Sequence, residues 1–232
     1  GMLKRGGYSD LIRPVFSILN PELTYTLPPY QTAAGVADMM AHVMERYFTN
    51  TKNVELTDRL GEAVMLTIIN ETPKVLKNPK DYEARANLMW AGTLAHNDIC
   101  GAGREQDWAS HKMEHELSGL YDVTHGAGLA VIFPAWMKYV MKQDILRFAQ
   151  FAVRVWGCEM DFQNPENTAR EGIERYEQFM KSIGMPTRFS DLGAKAEDIP
   201  ILIDKLQLGD KTLGSFVKLT WEDIRKIYEL AV

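Results

Sequence analysis

Residues 106–134 read QDWASHKMEHELSGLYDVTHGAGLAVIFP, and three of the chain's five histidines fall among them: His111, His115 and His125. His111 and His115 are four residues apart. On an α-helix that spacing puts both imidazoles on one face, about 5–6 Å apart at Cβ. The apolar pattern predicts one helix over Asp107–Leu120 and a second from Gly126 to about Val140, with Pro134 expected to kink or break it.

Outward from this stretch the period stays helical. Gln31–Phe48 carries Ala33, Val36, Ala37, Met40, Ala41, Val43 and Met44 on a broad apolar face, with Pro28 and Pro29 where proline is tolerated at a helix start. Further helices are predicted over Leu56–Leu76, Tyr82–Ile99, Ile145–Val155, Glu166–Ile183, Glu197–Leu206 and Trp221–Ala231, with stops at Gly157, at Gly184 with Pro186, and at Gly209. One segment departs from this. Val15–Leu19, between Pro14 and Asn20-Pro21, reads as a short strand. Within an otherwise helical chain it has no evident partner, so it is either extended coil or part of a sheet whose other strands are missing.

The 232 residues are 46% hydrophobic and 25% charged, with a net charge of -5. This is ordinary globular composition. The acidic balance, and the lack of any Lys/Arg block interleaved with aromatics, argue against nucleic acid or an anionic membrane as partner. No apolar run approaches a membrane span and no signal-peptide core is present, while the two cysteines, Cys100 and Cys158, form no CxxC pair. A reduced, cytoplasmic protein is the expectation. Gly1 before Met2 reads as a tag remnant.

A second acid–imidazole pair, Asp38 and His42, repeats the four-residue spacing on the early apolar helix. An aspartate and a histidine on a mostly apolar face are costly to bury unless something satisfies them, and one divalent metal would satisfy both pairs. Other motifs fail in detail. His115-Glu116 begins like HExxH, but Gly119 stands where the second histidine belongs; there is no His-Asp dipeptide and no helical ExxH pair. Gly101-Ala102-Gly103 follows a helical pattern and lacks the third glycine of a dinucleotide loop, so it reads as a helix stop.

The stretch 106–134 closely resembles the signature of the iron-containing alcohol dehydrogenases. The upstream FSILNPELTYTLPPYQTAAGVADMMAHVMERYF resembles that family's other metal segment, and the tail LGSFVKLTWEDIRKIYELAV resembles its C-terminus. The resemblance covers essentially the whole chain and is closest to the butanol dehydrogenase and broad aldehyde reductase branch. It implies an all-α fold, the multi-helix C-terminal domain of the dehydroquinate synthase-like architecture, over 25–232. Residues 1–24 would then hold the tag remnant and the end of a nucleotide-binding domain, Val15–Leu19 being its last strand.

The resemblance also implies a ligand set. Asp38, His42, His111 and His125 would hold Fe(II) or Zn(II), and His115 would stand between metal and nicotinamide. Spacing alone would have paired His111 with His115, and a role for His115 as a further ligand stays open. Trp108 is a candidate pocket wall, and Asp107 a candidate to orient His111 or else a surface carboxylate. His96 matches no family ligand and reads as structural. The family's glycine-rich phosphate loop has no counterpart here, so NAD(P) binding is expected only with a further domain. The expected activity is alcohol–aldehyde interconversion by hydride transfer, with this chain alone not competent. A catalytically silent metal-binding remnant and a metal-dependent hydrolase are the alternatives. Self-association through the exposed interdomain face is also expected.

Overall fold

Residues 4, 6, 7 and 9–232 are described by the computed structural model. Among them are nine α-helices: α1 Pro29–Tyr47, α2 Glu55–Lys77, α3 Tyr82–His96, α4 Ala109–Tyr121, α5 His125–Val140, α6 Ile145–Trp156, α7 Pro165–Ser182, α8 Ile199–Lys205 and α9 Trp221–Leu230. Each periodic segment becomes a helix within about one turn of its expected ends. The ends follow local chemistry. Pro29 opens α1; Asp81 and Asp144 accept from the first turns of α3 and α6; Thr220 and Asp223 form a reciprocal capping box at α9.

The expected strand is not formed. Residues 15–19 pair with nothing among the described residues, and Val15, Phe16 and Ile18 lie exposed. A strand is stabilised by the ladder it joins, and here none is within reach. The one β-type contact among the described residues is an isolated bridge between Leu213 and Leu219.

Helix α5 is the centre of the packing, with α1, α4, α7 and α9 against it. Every residue from Gly126 to Met137 is buried. Pro134 does not break it; the helix continues to Val140. The missing backbone donor costs one hydrogen bond, and a helix enclosed on all sides has no room to bend away. Helices α2 and α3 form a pair on the other side of α1, and α6 pairs with α7. Among the described residues no helix is long and apolar enough to cross a membrane.

The first turn of α5 sets the position of His125. A Cβ on Gly126 would fall inside the van der Waals shell of the Ala34 carbonyl oxygen. Only glycine lets α5 meet the α1 backbone this closely, and the contact brings His125, the first residue of α5, beside Asp38. A Gly126→Ala chain is expected to lose about 2–3 kcal/mol, because the obstacle is backbone rather than a side chain that can rotate away. Its midpoint in thermal denaturation should fall by about 4–12 °C. An unchanged midpoint would mean that the approach is not needed.

Candidate metal centre

Side chains of three helices converge on one point. Asp38 and His42 come from the middle of α1, His111 from the first turn of α4, and His125 from the start of α5. The Nε2 atoms of His125, His42 and His111 lie 3.5, 3.7 and 3.8 Å from the same oxygen, Asp38 Oδ1. These separations are too long for hydrogen bonds. They are of the size found between donors that share an ion, about 3.4–3.8 Å for donors about 2.1–2.3 Å from a common centre; Asp38, His42 and His111 form one mutually close group, while His125 also groups with Glu114 and His115. Asp38 Oδ1 and His111 Nε2 are buried without a hydrogen-bond partner. Buried polar atoms are otherwise nearly always paired, so orphaned donors in one cluster fit a divalent ion. Three imidazoles and one carboxylate are a borderline-soft set suited to iron or zinc.

Two buried carboxylates aim the imidazoles. Glu45, 0% exposed, lies seven residues after Asp38 on α1. Its Oε1 accepts from His111 Nδ1 at 2.8 Å and from the His111 backbone N–H at 3.2 Å. With Nδ1 donating, the neutral ring presents its Nε2 lone pair toward Asp38. Glu45 also accepts from the Trp108 N–H at 2.6 Å and from Ser110 Oγ, so a side chain of α1 caps the N-terminus of α4. Glu114, also fully buried, takes Nδ1 of His125 and is held by Ser118 Oγ. The Lys4 ammonium lies 3.3 Å from Glu114 Oε2 and 2.9 Å from His125 Nδ1, supplying counter-charge.

Burial shapes the titration. It pushes the Asp38 carboxyl up, but the hydrogen bond with His96 and the neighbouring His42 and His125 outweigh this and hold it at about 2. Burial lowers His42 to about 3 against the pull of Asp38, and lowers His115 to about 4, with Lys4 adding to the effect. Both rings are therefore neutral near pH 7.

The other expected site residues divide. His115 stands next to His125, ring centroids 5.2 Å apart, and is not among the three imidazoles facing Asp38. Trp108 lies beside His42 and His111. Its ring lies edge-on to His42 at 5.2 Å and to His111 at 4.9 Å, under the Arg46 guanidinium, and its backbone takes the left-handed φ of +67° that a bulky residue rarely adopts.

Asp107 is neither a surface carboxylate nor a partner of His111. It is buried, its Oδ1 accepts from the Ser215 and Phe216 N–H groups at 2.6 and 2.8 Å, and its Oδ2 accepts from Ala109 N–H. It ties the C-terminal loop to the start of α4. Burial, with the nearby Glu45 charge, raises it to about 6. Glu45 does for His111 what Asp107 was expected to do.

His96, expected to be structural, reaches the site. Its Nε2 lies 3.2 Å from Asp38 Oδ2, and its ring centroid is 4.0 Å from that of His42. The hydrogen bond with Asp38 raises its pKa against burial. Glu45 could have been found in the sequence, because an acid three residues after His42 and seven after Asp38 shares their helical face. Glu114, three residues after His111, carries the same signal; His96 carries none, and only the packing of α3 on α1 brings it in.

The chain is similar to known proteins in sequence and fold. The C-terminal domain profile of the Fe-containing alcohol dehydrogenase family matches residues 32–232. NADH-dependent butanol dehydrogenase B of Clostridium acetobutylicum is 41% identical over 222 residues, which are 94% of this chain and 57% of that protein. The substrate- and cofactor-free aldehyde reductase YqhD of Escherichia coli superposes with a TM-score of 0.91 at 38% identity, over 97% of this chain and 59% of that one. NADH-dependent butanol dehydrogenase A of Thermotoga maritima gives 0.86 at 38% identity, over 91% and 54%. The chain thus spans rather more than half the length of the relatives it matches. With most of the sequence matched and the helices superposing throughout, the chain belongs to the iron-containing alcohol dehydrogenase family, of which it carries the all-helical C-terminal domain.

Proposed function

We propose that Asp38, His42, His111 and His125 hold a divalent ion, Fe(II) or Zn(II), and that the chain is the metal-binding half of an NAD(P)-dependent alcohol dehydrogenase acting on a small alcohol or aldehyde. The observation that carries this reading is the convergence of three imidazole nitrogens on the unpartnered Asp38 Oδ1. A bound ion would supply Lewis-acid chemistry, polarising an aldehyde or lowering the pKa of an alcohol.

The chain's own residues do the rest. On an ion that takes five or six ligands, four protein donors leave room for substrate. Glu45 and Glu114 keep the His111 and His125 rings in the presenting orientation. His115, neutral because it is half-buried, sits one ring away from His125 and can accept the alcohol's proton or shape the cleft. Trp108 limits the cleft on the α4 side.

Hydride transfer needs a nicotinamide, and this sequence contains no glycine-rich phosphate loop. We assign 25–232 to the catalytic domain and residues before 25 to the end of a nucleotide-binding domain. The 232-residue chain alone is expected not to turn over alcohols. The exposed Val15, Phe16 and Ile18 are a surface through which it can self-associate. Two free, buried cysteines fit a cytoplasmic setting. The test is metal content. The purified chain should carry near-stoichiometric iron or zinc, and a His111→Ala chain should carry almost none. No metal even after anaerobic loading with Fe(II) or Zn(II) would overturn the reading.

A further inference from the structure

Asp38 has two oxygens, and a carboxylate facing a metal ion can offer one or both of them. In this structure the two meet different partners. Oδ1 faces the Nε2 atoms of His42, His111 and His125. Oδ2 faces the Nε2 of His96 at 3.2 Å. We propose that His96 is a positioning residue of the metal centre: it holds the second oxygen of Asp38, so that Asp38 gives one donor atom and a position around the ion stays free for substrate. The inference rests on the metal site proposed above.

His96 is itself firmly placed. It is the last residue of α3, and its Nδ1 lies 2.8 Å from the Gly92 carbonyl oxygen one turn earlier. Gly92 lets α3 lie close against α1, since a Cβ there would stand 2.8 Å from Met39 Cε. On either side of His96, Arg46 of α1 donates to the Ala95 carbonyl at 2.8 Å and pairs with Asp98 at 3.0 Å. The cationic side chain thereby closes the C-terminal end of α3. The imidazole also lies over His42, its ring tilted 34°. Backbone, salt bridge and ring contact thus fix the Nε2 that Asp38 meets. The His96 side chain is 41% exposed and lines a cavity of about 450 Å³ together with Val36, Met39, Leu88 and Met89. With an apolar residue at 96, Oδ2 loses the side-chain partner it meets in the structure, and the carboxylate could turn both oxygens to the ion. Three imidazoles and a two-oxygen carboxylate make five protein donors, a closed shell unsuited to catalysis.

The test is cobalt loading of the 232-residue chain as wild type, His96→Leu and His96→Gln. Co(II) reports its own coordination, because its visible d–d absorption weakens as the number of donors rises. In His96→Leu the absorption per bound cobalt should fall. In His96→Gln, whose amide can donate to Oδ2, it should return toward wild type. Unchanged absorption in His96→Leu would overturn the proposal, and so would a His96→Gln chain that behaves like His96→Leu. A wild-type chain that binds no cobalt would instead overturn the metal site, and this role with it.

Discussion

An Asp38→Ala chain is expected to lose its metal. Asp38 is the only anion among the four donors, and its Oδ1 is the atom on which the three imidazoles converge. A structural zinc site of four donors is worth about 10–16 kcal/mol, so one donor accounts for about 3–4 kcal/mol, or two to three orders of magnitude in affinity. The loss of charge adds to this, because three neutral rings cannot offset a dication. The effect should also appear without any assay of chemistry. At a thousandfold excess of free metal over its dissociation constant, the wild-type chain gains about 4 kcal/mol. For a domain of this size that is a rise of about 8–16 °C in melting temperature. Asp38→Ala should show almost none of that rise. Asp38→Asn keeps the shape and removes the charge, and should fall between the two. An Asp38→Ala chain that still carried stoichiometric metal and melted higher with it would remove Asp38 from the site.

Glu45→Ala is expected to be the most damaging single change to the fold itself. The carboxylate is wholly buried and serves four donors: the Trp108 and His111 backbone N–H groups, Ser110 Oγ and His111 Nδ1. Alanine would leave all four buried without an acceptor and would leave α4 without the anion at its N-terminus. Breaking a buried charged network of this kind costs about 3–5 kcal/mol. Thermal denaturation followed by circular dichroism should show a midpoint lower by about 6–20 °C. His111 would also be free to turn, so metal affinity should fall by about 10- to 100-fold. A loss of less than about 1 kcal/mol would mean that α4 is held by its apolar face and that the carboxylate is incidental.

What could be read from the sequence divides along a physical line. Helices with an apolar period were legible because periodicity is local; α1 and α5 lie where the pattern puts them. Pro134 misled because proline's effect on an exposed helix is local, whereas α5 is enclosed on every side. Residues 15–19 have the composition of a strand, but a strand needs a neighbour that composition does not supply. At the site, spacing alone made Asp38 and His42 a legible pair but joined His111 to His115; His125 entered only through the family resemblance. Which acids aim these donors was not legible. Asp107 and Glu45 are both acids near a ligand, and only the docking of α4 on α1 decides that Glu45 meets His111 while Asp107 turns to Ser215 and Phe216. His96 matched no motif because its partner is 58 residues earlier in the chain, on another helix.

Glu45 and Glu114 bond to the Nδ1 atoms of His111 and His125, and neither contact passes through the point where the Nε2 atoms converge. The aim of the rings is therefore set by the packing of α1, α4 and α5 and not by the ion. In a zinc finger the metal is the organiser, and chelation unfolds the domain. In the proposed site the order would run the other way: a scaffold whose contacts do not need the ion would receive it as a guest. Metal exchange with the surroundings can then proceed on a folded protein, so the identity of the bound ion follows supply and coordination preference at the time of loading, and not the history of folding.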